Sequence, residues 1–147
     1  MKKMAVLAAA VAALAACGGP SKIYVKGIKP LNENDRKEST PVDVRVYQLK
    51  DDSKFNQATI DKLWTDDKTV LGDDLVAVKV FTVFPGSADE SEKEIVLGEL
   101  PAGVRFVGVM ALFPKEDDKG PRKVTLPADA TGKSILMFSG YHISKKD

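Results

Sequence analysis

The chain has 147 residues, with 22 Lys and Arg against 21 Asp and Glu and a formal net charge of +1. That length supports one domain with a respectable core, and the balanced charge leaves no basic excess to hold nucleic acid or an anionic membrane face. One cysteine and one histidine exclude a disulfide framework, and also a zinc site built from about three or four nitrogen or sulfur ligands.

Met1-Lys2-Lys3 is a short positive segment, and Met4 to Ala16 is an unbroken run of Met, Ala, Val and Leu. The run falls short of the roughly 20 residues that span a bilayer. It reads as a secretory leader over residues 1–16 that is removed. It ends Leu14-Ala15-Ala16-Cys17, the lipobox pattern of a bacterial lipoprotein. Small Ala15 and Ala16 suit a peptidase groove that rejects bulky side chains, and Cys17 supplies a thiol for acylation. The other reading is an ordinary signal peptide with a chance cysteine. Cleavage would leave 131 residues, with 20 basic and 21 acidic side chains. The only group expected on the chain is a covalent lipid on Cys17. One acyl chain binds a membrane marginally, at ~0.8 kcal/mol per buried methylene, so stable anchoring resembles the multiply acylated case. In enterobacterial lipoproteins an Asp after the cysteine retains the protein at the inner membrane. Gly18 in that place points to the outer membrane, with the domain facing the periplasm.

Residues 17–21 form the lipidated cysteine and a Gly-Pro-Ser tether, and residues 22–147 the folded domain. Ile23, Val25 and Gly27 alternate with Tyr24, Lys26 and Ile28 as a first strand. Lys29 to Pro41 is polar, bounded by prolines, and reads as an exposed loop. Val42, Val44 and Val46 alternate with Asp43, Arg45 and Tyr47 as a half-buried strand. Ser53 and Thr59 are expected to cap two helical turns. Ile60, Leu63 and Trp64 share one helical face at i, i+3, i+4. Asp66 to Leu75 reads as acidic and irregular, and residues 52–75 together as a helical insertion laid on a sheet.

Strands resume over Val76–Phe84, Ser91–Leu97, Val104–Phe113, Lys123–Leu126 and Ser134–Ile143, with Lys145-Lys146-Asp147 as a solvated tail. The strand Val104–Phe113 is apolar on both faces: Phe106, Met110 and Leu112 on one, Val107, Val109 and Phe113 on the other. Such a strand must be covered on both sides, by an opposing sheet on one and by the insertion with Trp64 on the other. About seven short strands separated by turns give an all-β, two-sheet sandwich with a small helical insertion.

No catalytic constellation is visible. His142 stands near a strand end on the face of Leu136 and Phe138, where a structural role is favoured, and no nucleophile elbow precedes it. Asp66-Asp67, Asp73-Asp74 and Glu116-Asp117-Asp118 lack the spacing of a calcium loop, so no metal is expected. Tyr47, on the same side of its strand as Arg45, is expected to pack.

Three segments together resemble one family. They are Val42-Asp43-Val44-Arg45-Val46-Tyr47-Gln48-Leu49; then Phe55 through Leu63-Trp64 to Leu71-Gly72-Asp73-Asp74-Leu75; then Val83-Phe84-Pro85-Gly86 followed by Phe106 to Phe113. Their order and spacing are similar to the TssJ family, the outer-membrane lipoproteins of the type VI secretion system. The resemblance implies a transthyretin-like β-sandwich, no enzymatic activity and no cofactor. It also implies a place in the trans-envelope complex, bound to the periplasmic domain of the inner-membrane protein TssM. The family's contact loop lies between the first two strands, which corresponds here to Lys29–Pro41. The candidate contacts are Pro30, Leu31, Asn32, Glu33, Asn34, Asp35 and Arg36, with apolar Leu31 as an anchor inside a hydrogen-bonding rim. Pro121-Arg122-Lys123 stands where the family often carries a tryptophan-arginine pair. The alternative function is a periplasmic lipoprotein that inhibits an enzyme or binds a small ligand. A lipid-anchored hydrolase is disfavoured because no nucleophile–base pair exists.

Overall fold

The computed structural model describes residues 19–147. Residues 1–16, Cys17 and Gly18 lie outside the described residues. Eight strands are present: β1 (Ser21–Leu31), β2 (Val42–Leu49), β3 (Leu75–Val83), β4 (Lys93–Gly98), β5 (Phe106–Ala111), β6 (Lys123–Pro127), β7 (Ile135–Gly140) and β8 (His142–Lys146). They form two four-stranded sheets, ordered β4-β1-β7-β8 and β3-β2-β5-β6. All pairings are antiparallel except β1 with β7, which places Tyr24 opposite Ile135.

Alternation along the strands builds the main core. Ile23 and Val25 of β1 and Leu136 and Phe138 of β7 meet Val42, Val44 and Val46 of β2 across the sandwich. From β5 come Val107, Val109 and Ala111, continued by Phe113. The opposite face of β5 turns outward to a second core, where Met110, flanked by Phe106 and Leu112, packs against helices. These are α1 (Ser53–Gln57) and α2 (Ile60–Leu71), followed by one 3-10 turn at Gly72–Asp74. The two-faced strand is therefore covered on both sides, as its composition requires.

Thr59 caps α2 by accepting the Lys62 N–H at 3.3 Å. At α1 the cap position falls on Asp52 rather than Ser53, with no side-chain cap bond. The helix α2 runs to Leu71 across a kink at Asp66 (φ −151°, ψ 45°), so most of the acidic stretch expected to be irregular is helical. Phe55 lies flat over Gly108 of β5, where a Cβ would sit 2.9 Å from Cζ of the Phe55 ring. Gly108 thereby lets α1 seat its one buried aromatic against the sheet.

Three boundaries differ from the sequence reading. The first strand runs on through Lys29 and Pro30 to Leu31, leaving residues 32–41 as the loop. The apparent last strand is two strands, because Gly140 adopts φ +56° and turns the chain at Tyr141. The expected tail is then partly strand: Lys145 and Lys146 pair with Leu136 and Ile135.

Candidate docking site

The loop 32–41 is long, yet its shape is fixed by its own polar groups. At the base, Thr40 N–H donates to Leu31 O at 2.9 Å, Leu31 N–H donates to Ser39 Oγ at 3.1 Å, and Asn32 Nδ2 donates to Thr40 Oγ1 and Pro41 O. At the tip, Asn34 Oδ1 accepts the N–H groups of Arg36 and Glu38, an Asx arrangement that imitates a backbone turn. Asn34 N–H donates to Glu38 O at 3.0 Å. Residues 34–38 are exposed.

The expected anchor role of Leu31 is corrected by its burial. Leu31 is fully buried in the main core, because it pairs with Gly140 past a register shift in β1 that follows Gly27, and it presents no surface. Pro30 is exposed on β1 before the loop. Of the other candidates, Asn32 and Glu33 are half-buried at the loop base, while Asn34, Asp35 and Arg36 form the exposed tip.

A second loop, residues 112–122 between β5 and β6, stands beside the first. Tyr141 joins them. Its hydroxyl donates to Glu33 O at 2.9 Å, and its ring meets Phe113 edge-on at 6.2 Å. Lys115 places its ammonium 4.4 Å from the Tyr141 ring centroid. Asn32 N–H donates to Gly140 O, completing the seam. Between the loops lies a cleft of about 320 Å³, lined by Glu33, Asn34, Asp35, Lys37, Pro114, Lys115 and Tyr141. No local pattern marks Tyr141 or Lys115, since the Gly140 turn that places Tyr141 is hidden inside an apparent strand.

Asp117 holds the second loop from beneath. Its Oδ2 accepts Tyr141 N–H at 3.0 Å and the Nδ1–H of His142 at 2.8 Å, and its Oδ1 accepts Lys119 N–H at 2.9 Å. The two backbone N–H groups, then His142, hold this carboxyl well below the usual carboxylate range. His142 is thus part of a structural brace. Asp67 pairs with Arg45, Asp74 with Lys54 and Glu116 with Arg122, so each acidic cluster has a cationic neighbour. Among the described residues, no group of three or more His, Cys, Asp and Glu side chains could hold a metal ion. None of the described helices is long and apolar enough to cross a membrane.

Residues 20–140 match the family model described as type VI secretion lipoprotein, with members VasD, EvfM and TssJ. The chain belongs to the type VI secretion lipoprotein family. Solved structures agree with this fold. Lip of Serratia marcescens, a membrane-bound component of the type VI secretion system, aligns at TM-score 0.75 and 19% identity over 88% of this chain and 98% of that one. The lipoprotein TssJ1 of Pseudomonas aeruginosa aligns at 0.67 and 25% over 87% and 98%. A structure described as the T6SS protein TssM C-terminal domain from EAEC aligns at 0.72 and 23% over 88% and 98%. No curated protein sequence matches the chain. The expected membership of the TssJ family and the β-sandwich fold both hold.

Proposed function

We propose that this family member is a non-enzymatic, lipid-anchored protein of the outer membrane that binds the periplasmic domain of the inner-membrane protein TssM. Cys17 carries the lipid, and the loop 32–41 carries the contact. One observation supports the docking role above others: the loop is both exposed and internally fixed. A surface that is already shaped loses little conformational freedom on binding. β1 and β2 lie in opposite sheets, and ten residues are more than such a crossing needs, since most connections between elements run about 4–6 residues. Family membership supports the anchor and the place in the secretion machine.

Two experiments test this reading. Cys17→Ser should abolish fatty-acid labelling and release the protein from outer-membrane fractions, and persistent label on that variant would disprove the anchor. Replacing residues 34–38 by an Asn-Gly turn should leave the melting temperature close to the parent's and weaken binding to purified TssM periplasmic domain. Calorimetry with the full chain in detergent measures this, and unchanged affinity in the folded variant would place the docking surface elsewhere.

A further inference from the structure

Deepening the loop reading and resting on it, we infer that the docking surface is composite: the 32–41 loop and the 112–122 loop act together, and Lys115 is a contact residue that receives a carboxylate from the partner. Three observations carry this. The loops are joined by the Tyr141 hydroxyl on Glu33 O and by Asn32 N–H on Gly140 O, so a body docking on one meets the other. The joint is supported from below by Asp117 through Tyr141 N–H. Gly140, whose added Cβ would lie 2.7 Å from Asp117 Oδ2, allows that close approach. Lys115 is an exposed cation over an aromatic face, which restricts an otherwise freely rotating side chain.

The charge pattern identifies the partner's chemistry. Lys37 and Lys115 both line the cleft, from opposite loops. Neither is in an ion pair with a carboxylate among the described residues, so both ammoniums are available at the cleft. Glu33 and Asp35 balance the cleft's net charge, so selection comes from pattern rather than from a bulk field. A partner loop bearing one Asp or Glu, set between the two ammoniums, satisfies the arrangement. A rim charge pair of this kind sets association rate and salt dependence more than area does.

The test uses the full chain in detergent and purified TssM periplasmic domain, with affinity measured at two salt concentrations. Lys115→Glu should weaken binding by about tenfold and flatten its salt dependence, with the melting temperature unchanged. Lys115→Arg should keep both affinity and salt slope. If Lys115→Glu binds as the parent does while shortening residues 34–38 abolishes binding, the composite surface is wrong and the single-loop reading stands. If neither change weakens binding, both readings fall.

Discussion

The guanidinium of Arg45 lies 4.0 Å from the ring centroid of Trp64. Arg45 projects from β2, and its Nη1 donates to Leu63 O and Trp64 O and pairs with Asp67 at 3.2 Å. One side chain thus binds the carbonyls, the carboxylate and the aromatic face of the same helix. Beneath it, the Tyr47 hydroxyl donates to Leu63 O at 3.2 Å, and burial pushes that hydroxyl's pKa up. Tyr47 packs against Phe55, as its position on β2 led us to expect.

This arrangement ranks the contributions of neighbouring residues in α2. Leu63 is fully buried, whereas Trp64 is only half-buried and lies on Arg45. Leu63→Ala should cost about 2–5 kcal/mol. Trp64→Ala should cost less, about 1–2 kcal/mol, mainly the lost cation–π contact. Urea denaturation of both variants measures this, and a larger loss at Trp64 would contradict the ordering.

Lys123 fastens α1 to β6. Its ammonium donates to Phe55 O, Asn56 O and Ala58 O at 2.5–2.7 Å, meeting carbonyls left over at the helix end. Burial pulls its pKa down. Lys123→Met keeps the stem and removes the donors, so it should cost about 1–3 kcal/mol. Amide exchange should quicken over residues 53–58, and exchange as slow as the parent's would show that the carbonyls find water without penalty.

Gly108→Ala should expel the Phe55 ring, because a Cβ there approaches three ring carbons at 2.9–3.0 Å. The expected loss is about 1–3 kcal/mol, typical of overpacking. Near-ultraviolet circular dichroism should lose the Tyr47–Phe55 signal together with stability.

Asp117 gives the fold an acid limit. Its folded pKa lies below the unfolded value of about 3.9, so the folded state prefers the charged form. Its contribution is complete above that unfolded value and is lost as pH falls through the folded one. The melting temperature of the parent should therefore decline as pH drops below about 4, and Asp117→Asn should show a flatter decline from a lower start. Parallel curves would remove Asp117 from the account.

Asn34→Ala should leave global stability within about 0.5 kcal/mol of the parent, as exposed sites usually do. It removes the acceptor of the Arg36 and Glu38 N–H groups. Amide exchange at residues 36–38 should quicken, and TssM binding should weaken. A loop that exchanges as slowly as before would show that its shape does not depend on Asn34.

Strand β2 and the two-faced β5 were legible because period-two alternation reports directly which side is buried. The start of α2 was legible because Thr59 is a capping residue followed by an apolar helical face. Leu31 was misread because Pro30 beside a polar run reads as a loop, while a strand bearing a proline still ends in the core. Trp64 helps cover β5 but only from the rim, because Arg45 holds its ring at the edge. Tyr141, Lys115 and Asp117 meet only through a fold that brings residues 33, 115 and 141 together, and no local pattern encodes such a meeting.

β1 extends from Ser21 to Leu31 with a register shift between Gly27 and Leu31, and the 32–41 loop begins where it ends. At about 3.3 Å per residue the strand spans roughly 35 Å. On the proposed reading the membrane attachment lies at one end of it and the partner at the other. Tension between the two membranes would then travel along a single covalent strand rather than through the packed body of the domain. β1 is also an inner strand of its sheet, bonded to β4 on one side and β7 on the other. A pull along its length loads the β4 ladder at Ser21–Val25 and the β7 ladder at Tyr24–Gly27 in shear instead of peeling one bond at a time. The sandwich would then serve as the sleeve that holds this tie straight.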